Sequence, residues 1–412
     1  MATHDALQDP SPDAARTAAP ASPNGPSEAA ISRTLARHPR PLGGDPVRNF
    51  RPTVSLSAMV LNNQAEAPHQ LSQKRKPSWL RARVPGGGEY AKLKKNIDDN
   101  RLFTVCEEAA CPNMGECWAR GVATIMILGD TCTRSCGFCN VKSGRPPEYD
   151  TDEPRRVAES LRLMGLKHVV ITSVNRDELP DGGAAIWAET IERSREACPD
   201  LSIEVLIPDF MGDWNALQTV IDAKPDIIAH NLECVRRMYP AVRPSAKYDR
   251  SLEMLRRIKE QGVVAKTSFM VGIGEKQSEM IEAFDELVEF TANHDGPRDE
   301  RPEERGGTGL GDPCDIVTVG QYLQPTRNHL PVARWVHPDE FALYETEGLA
   351  RGLKVVMSGP MVRSSYLADA AADRLEASNV DEALKLAEKT RGRSEGAAYD
   401  PPKDAAERDG SR

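Results

Sequence analysis

The sequence is poor in aromatic residues, which form 5% of its 412 residues, and it contains no apolar run near the ~20 residues that cross a bilayer. Its opening also lacks the apolar core of a signal peptide. Five acidic side chains among the first 50 residues argue against an acid-poor transit peptide. These absences predict a cytoplasmic protein with no membrane segment. A formal net charge of −9 gives no global reason to expect nucleic-acid binding.

The histidines indicate neither a metal site nor a catalytic triad. The eight histidines include no close pair at metal-ligand spacing, and no Ser-His-Asp order is evident. Neither a histidine-based metal site nor a hydrolase triad is therefore predicted.

Cysteine is the informative residue. In a chain without an export signal, nine cysteines with tight local spacing favour metal ligation over disulfides. Cys132, Cys136 and Cys139 form a C-x3-C-x2-C run. Three such thiolates can hold three irons of a [4Fe–4S] cube and leave the fourth iron open to a small molecule. A structural zinc would need a fourth ligand, and the nearest histidine on the C-terminal side is His168.

A second trio lies just upstream. Cys106, Cys111 and Cys117 follow a C-x4-C-x5-C pattern and predict a second cluster with different geometry. The remaining cysteines are scattered, as small buried apolar residues often are, and no role is predicted for them: Cys198, Cys234 and Cys314.

Strand-like and helix-like segments alternate after the first trio. Continuous β-branched runs are typical of strands buried on both faces. They occur at residues 123–128, 168–172, 202–207, 226–229, 263–271, 315–319 and 354–357. Single apolar stripes predict helices between them, as at Leu252, Leu255 and Ile258 and at Met280, Ile281, Phe284, Leu287 and Val288. Repeated βα units predict a parallel sheet in a complete or partial barrel, with chemistry at the C-terminal strand ends.

Taken together, the motifs resemble the lipoyl synthase family of the radical S-adenosylmethionine superfamily. The C-x3-C-x2-C run with Phe138 before its last cysteine resembles the superfamily motif, and the upstream trio resembles the lipoyl synthase auxiliary-cluster motif. Arg363-Ser364-Ser365-Tyr366 matches the family's Arg-Ser-Ser-Tyr motif. The resemblance extends roughly from residue 76 to residue 369, with further matches at residues 79–81, 174–177, 181–183 and 242–243.

The resemblance implies two [4Fe–4S] clusters and S-adenosylmethionine as cofactors. Cys132, Cys136 and Cys139 are implied to hold the catalytic cluster. The auxiliary cluster is assigned to the upstream trio with Ser365 as fourth ligand; without the family match, the serine pair would be interpreted as a turn or helix cap. Contacts to S-adenosylmethionine are predicted for Asn175, Asp181, Gly182, Gly183, Glu204 and Arg243. Two alternatives stay open, a plain turn at residues 181–183 and a structural carboxylate at Glu204.

The fold expected from the resemblance is α/β, a partial (βα)6 TIM-type barrel of the radical SAM kind. Residues 71–122 are predicted to form an N-terminal extension with the auxiliary motif, and residues 123–358 the barrel, with a surface insertion at 293–313. Residues 359–391 form a C-terminal extension with the serine motif. Residues 1–70 and 392–412 are predicted to be disordered tails, since their composition cannot bury enough apolar surface.

The reaction implied is insertion of two sulfur atoms at C6 and C8 of a protein-bound octanoyl-lysine, with the auxiliary cluster as sulfur donor. Implied partners are octanoylated lipoyl-carrier domains of 2-oxoacid dehydrogenase E2 subunits and the glycine cleavage H protein, and a ferredoxin- or flavodoxin-type electron donor. Lys92, Lys94 and Lys95 are a hypothetical docking patch, the alternative being a solvated surface. Two other functions are weighed, another sulfur-inserting enzyme such as a biotin synthase or methylthiotransferase, and a non-catalytic iron–sulfur carrier.

Overall fold

Described residues of the computed structural model are 76–81, 87–119, 123–292 and 313–365, together with residues 368 and 375. Both predicted tails and residues 293–312 of the predicted insertion lie outside this range. The domain boundaries therefore stay predictions. Among the described residues, no helix combines the length and apolarity needed to span a bilayer.

The strands among the described residues are β1 Phe103–Thr104, β2 Thr124–Ile127, β3 Thr131–Cys132, β4 Lys142–Ser143, β5 His168–Ser173, β6 Ser202–Leu206, β7 Ile227–Ala229, β8 Val264–Val271, β9 Ile316–Gln321 and β10 Val355–Gly359. Eight of these strands form one sheet in the order β1-β2-β5-β6-β7-β8-β9-β10, and β1 alone among the eight runs antiparallel to its neighbour. The two short strands β3 and β4 pair with each other in parallel.

Helices connect the parallel strands. They are α1 Gly88–Asp99, α2 Val105–Glu108, α3 Met114–Ala119, α4 Glu153–Met164, α5 Ala184–Ala197, α6 Trp214–Asp222, α7 Tyr239–Val242, α8 Tyr248–Glu260, α9 Gln277–Ala292 and α10 Pro338–Ala350. Parallel strands in sequential order, joined by right-handed crossovers, place all connecting helices on one face of the sheet. The other face becomes the interior of a barrel. Within the described residues no pairing joins β10 back to β2, so the barrel is partial.

All seven predicted strand runs coincide with β2 and β5 to β10, which form six βα units and a final strand. The predicted fold class is confirmed. The two-residue strand β1 was not predicted, because so short an edge strand leaves no periodic pattern.

The segment after β10 turns back across the end of β9. Gly320, near the end of β9, lies directly under Val362 and Arg363, so that a Cβ on Gly320 would collide with the carbonyl oxygen of Val362. The same Cβ would lie 3.0 Å from the Val362 carbonyl carbon. Only glycine lets this segment enter the barrel mouth at that depth.

Substituting Gly320→Ala should therefore displace the segment that follows β10 and destabilise the protein by about 1–3 kcal/mol, as overpacking does. Denaturant unfolding followed by circular dichroism measures the change. Gly144→Ala is the matched control, since its Cβ would meet only the Thr131 methyl group at 3.6 Å. Equal stabilities for the two variants would contradict the steric argument.

Candidate active site

The loop of Cys132, Cys136 and Cys139, which is predicted to hold the catalytic cluster and is called the catalytic loop below, begins at the last residue of β3. The Cys132 sulfur accepts hydrogen bonds from the backbone N–H of Arg134 at 3.4 Å and of Asn175 at 3.3 Å, and from Asn175 Nδ2 at 3.7 Å. The Asn175 carbonyl in turn accepts the Thr133 N–H at 3.1 Å. Asn175, predicted as a cofactor contact, thus also fixes the first cysteine of the loop.

Cys136 and Cys139, like Cys132, are half-buried. Burial raises the pKa of the Cys136 thiol to about 12, with Arg243 lowering it and Cys139 and Cys132 raising it further. The three thiols of the trio are therefore close enough to influence one another. Metal binding must displace the Cys136 proton, so cluster assembly here releases protons.

Gly137 and His329 shape the second half of the loop. A Cβ on Gly137 would lie 2.8 Å from Leu330 Cγ and 3.1 Å from the Ala241 carbonyl oxygen, which explains the glycine between the two cysteines. His329 Nε2 lies 3.0 Å from the Cys139 carbonyl, and His329 Nδ1 lies 2.8 Å from Thr326 Oγ1. A carbonyl can only accept, so Nε2 carries the proton and Nδ1 accepts from Thr326.

A network of buried ion pairs holds Arg134, which lies in the same loop between Cys132 and Cys136. Arg134 is 4% exposed and forms two 2.7 Å hydrogen bonds to Asp177 and one of 2.6 Å to Asp209. Asp209 also pairs with Arg250 at 2.7 Å. Burial alone would raise the pKa of Asp209, but Arg134 and Arg250 hold it well below its usual range. The network therefore stays charged at physiological pH.

The auxiliary trio occupies a short helical loop beside β2. Cys106 lies in α2, and burial raises the pKa of its thiol to about 11, with the neighbouring Cys111 adding to the rise. Cys111 N–H donates to the Cys106 carbonyl at 3.0 Å, and Cys117 follows in α3. No three His, Cys, Asp or Glu side chains among the described residues converge on one metal ion. In an iron–sulfur cluster each thiolate binds a different iron, so the thiols need not converge on a single metal ion.

Direct contacts bring the two cysteine loops and the serine segment together. Asn140, next to Cys139, donates from Nδ2 to the Glu108 carbonyl at 3.0 Å. Asn113, between Cys111 and Cys117, donates from Nδ2 to the Met361 carbonyl at 2.7 Å. Arg363 lies close enough to interact electrostatically with Cys111. Ser365, two residues further along the chain, is half-buried.

The predicted turn at residues 181–183 is present at the C-terminal end of β5. Both Asp181 carboxylate oxygens accept backbone N–H groups at 2.9 Å, from Gly183 and Ala185. Gly182 and Gly183 have φ angles of +61° and +90°, and a Cβ on either would press on Phe210 or Leu128. Residues 181–183 therefore form the turn that was weighed as the alternative to a cofactor contact. A role in cofactor contact stays a prediction.

Glu204 points into the barrel and already has partners. Lys266 Nζ lies 2.7 and 2.8 Å from its two oxygens, and His168 Nε2 lies 3.6 Å away. Burial alone would raise the pKa of Glu204, but Lys266 and His168 lower it. These contacts favour the alternative that Glu204 is a structural carboxylate.

The two roles of Glu204 can be separated by substitution. Lys266→Met leaves a buried carboxylate without its cation and should cost about 3–5 kcal/mol in unfolding free energy. The double variant Glu204→Gln with Lys266→Met should recover much of that loss. Equilibrium dialysis then measures S-adenosylmethionine binding to the double variant. Unchanged binding is expected for a structural carboxylate, whereas strong loss would restore the cofactor role.

A second buried carboxyl group accepts a hydrogen bond from the backbone just before the catalytic loop. Glu153, the first residue of α4, accepts the Leu128 N–H at 2.6 Å, and Leu128 adopts a φ of +65°. Burial raises the pKa of Glu153 from its ordinary 4.5 to about 7. Its protonation state therefore changes near neutral pH.

This raised pKa predicts a pH dependence of folding. Between about pH 4.5 and 7 the folded state holds a proton that the unfolded state has lost. The Glu153 contribution to stability is therefore present below this window and is lost as pH rises through it, on the order of 1.4 kcal/mol per pH unit. Unfolding free energies of the native chain and Glu153→Gln across this range measure it. Parallel pH profiles would contradict the assignment.

Sequence reasoning missed Arg134, Asp209, Asn113, Asn140 and His329. One signal existed: Arg134 lies between two ligand cysteines, and Asp209 follows a strand at its C-terminal end, where barrel sites are built. The amide contacts had no sequence signal, since Asn113 and Met361 are 248 residues apart. The scattered cysteines behave as expected, with Cys234 and Cys314 buried and Cys198 packed against the core.

Two family models match the chain. The radical SAM superfamily model matches residues 126–288, and the model for the N-terminal domain of lipoyl synthase matches residues 43–111. The first match runs from β2 into α9 and includes the catalytic loop with the ion pairs of Arg134. Fold and site together define a radical S-adenosylmethionine enzyme.

Curated relatives make the family specific. A lipoyl synthase of Rubrobacter xylanophilus is 53% identical over 71% of this chain and 84% of its own length. One from Halorhodospira halophila is 49% identical over 75% and 86%. The chain belongs to the lipoyl synthase family. A solved methylornithine synthase aligns at 14% identity with a TM-score of 0.41, covering 82% of this chain and 96% of that one, a similarity too low to indicate function.

Membership confirms several predictions made from the sequence. These are the family, the radical SAM fold, a sulfur-inserting enzyme, and the use of [4Fe–4S] clusters and S-adenosylmethionine. It also decides against the other sulfur-inserting enzymes and the non-catalytic carrier. The roles of individual residues stay predictions.

Proposed function

We propose that this chain inserts two sulfur atoms at C6 and C8 of an octanoyl chain attached to a lysine of a lipoyl-carrier protein. The proposal rests on family membership and on one contact within the chain. Asn140 beside the catalytic trio donates directly to the Glu108 carbonyl inside the auxiliary trio. Two cysteine sets that share a hydrogen bond can act on one substrate chain placed between them.

The cysteines present fit the two clusters of this family. Cys132, Cys136 and Cys139 would hold the catalytic cluster, and Cys106, Cys111 and Cys117 with Ser365 the auxiliary cluster. When bound, these groups and S-adenosylmethionine supply a carbon radical able to abstract unactivated hydrogens, and the sulfur itself. An alkoxide is a harder and less strongly retained iron ligand than a thiolate, which suits a cluster that gives up sulfur.

The remaining residues position the reactants. Asn175 Oδ1 is buried without a hydrogen-bond partner in the described part of the chain, which supports a contact to an amine donor such as the methionyl group. Arg243 donates to the Asn231 carbonyl at 2.5 Å and lies beside Cys136, where its charge favours a thiolate. Asp181 supports the turn of Gly182 and Gly183, at which a backbone can approach a ligand closely.

We also propose specific carrier proteins and a specific class of electron donor for this chain. The carriers would be E2 subunits of 2-oxoacid dehydrogenases and the glycine cleavage H protein, and the electron donor a ferredoxin or flavodoxin, in the cytoplasm. Lys94 pairs with Asp98 at 2.7 Å and with Glu107 at 2.8 Å, and Lys95 pairs with Asp99. The docking role of Lys92, Lys94 and Lys95 stays a prediction.

The function is tested with an anaerobic assay containing reductant, S-adenosylmethionine and an octanoyl-lysyl peptide, followed by mass spectrometry. The native chain should add two sulfurs per peptide. Ser365→Cys should keep forming 5′-deoxyadenosine but insert sulfur at least ~tenfold more slowly, because a thiolate releases iron less readily.

Ser364→Cys is the matched control, since it makes the same change one residue away. It should insert sulfur at a rate near that of the native chain. Full product formation by Ser365→Cys would refute the ligand role of Ser365. Formation of 5′-deoxyadenosine without sulfur transfer by the native chain would refute the proposed substrate.

A further inference from the structure

Asn113 stands at the junction between the auxiliary cysteines and the serine segment. It is 4% exposed, and its Nδ2 lies 2.7 Å from the Met361 carbonyl. Met361 lies between the end of β10 and Ser365. One neutral side chain thus links the loop of Cys111 and Cys117 to the segment that carries the serine.

On its own side, Asn113 is fixed to the helix that bears Cys117. The Asn113 carbonyl accepts the backbone N–H of Glu116 at 3.0 Å and of Cys117 at 2.9 Å. These bonds form the first turn of α3. Any residue at this position could accept them through its backbone carbonyl. The side-chain amide is not needed for these two bonds, and Asn113→Asp keeps both the backbone carbonyl and a residue type that is favoured before a helix.

The receiving segment is held firmly as well. Val362 N–H donates to the Gly359 carbonyl at 3.1 Å, and the Val362 side chain packs in a buried cluster with Ile316, Val355 and Met357. Cys117 packs against this same cluster. Because both segments are anchored, a hydrogen bond between them fixes their relative position.

We propose that Asn113 is a positioning residue that fixes residues 359–365 against the auxiliary cysteine loop and so keeps Ser365 within reach of the auxiliary cluster. The inference rests on the proposed ligand role of Ser365. Loss of the amide donor would leave the cysteines in place but separate them from the serine. The auxiliary cluster would then lose iron more readily.

Hydrogen exchange on the purified full chain tests the first half. Asn113→Asp keeps the size and the backbone bonds but replaces the donor by an acceptor facing a carbonyl. Amides of residues 359–365 should exchange roughly fivefold faster or more. Asn140→Asp is the matched control, since it makes the same change at the amide that donates to the Glu108 carbonyl instead of the Met361 carbonyl. It should leave exchange at 359–365 unchanged. Equal exchange in Asn113→Asp and the native chain would overturn the proposal.

Iron release tests the second half. In a full chain with Cys132, Cys136 and Cys139 replaced by alanine, iron extracted by a chelator comes from the auxiliary cluster alone. Asn113→Asp and Ser365→Ala should each speed release several-fold, and the double variant should be no faster than Ser365→Ala. A merely structural role would instead multiply the two effects and overturn the proposal.

The two premises fail in different ways. If Ser365→Ala leaves iron release unchanged while Asn113→Asp accelerates exchange at 359–365, the ligand role of Ser365 is wrong and only the positioning contact stands. If Ser365→Ala accelerates release but Asn113→Asp does not, the ligand role stands and the proposal for Asn113 is wrong.

Discussion

The geometry of the catalytic loop depends on the burial of one guanidinium. Arg134 lies inside the cysteine motif, where its charge would be costly without partners, and Asp177 and Asp209 together supply them. Since Asp177 follows β5 and Asp209 follows β6, the ion pairs tie the loop after β2 to the ends of two neighbouring strands. These ion pairs fix the position of Arg134, and with it the backbone between Cys132 and Cys136, relative to the barrel.

The thiols add a complementary constraint. Burial holds the pKa values of Cys136 and Cys106 well above neutrality, so both are protonated in the free protein. Neutral thiols can lie close together without mutual repulsion. Cluster assembly then exchanges protons for iron and gains its driving force from metal–thiolate bonds. Burial of these two thiols therefore favours their neutral form until iron replaces the protons.

Sequence predicted the features that depend on local pattern. Buried strands leave continuous apolar runs, and cluster ligands leave cysteines at fixed spacing, so both the barrel and the two trios were predicted. Features that depend on contacts between distant segments were not. Nothing around Gly320 indicates that Val362 will lie against it, and nothing around Glu204 indicates that Lys266 from β8 will neutralise it. Such pairs become visible only when the strands are assembled.

The described contacts of the two cysteine loops differ in kind, although the auxiliary loop also has an ion pair, Lys94 with Glu107 at 2.8 Å. A buried, charged network holds the catalytic loop, and breaking such a network costs about 3–5 kcal/mol. The described links between the auxiliary loop and its surroundings include two neutral amides, Asn113 and Asn140, and hydrogen bonds of this kind contribute about 0.5–1.5 kcal/mol each. For the cluster assignment proposed above, a loop that binds the same cluster through every turnover benefits from a rigid charged network. A loop whose cluster is consumed and rebuilt benefits from hydrogen bonds that open at small cost and reform.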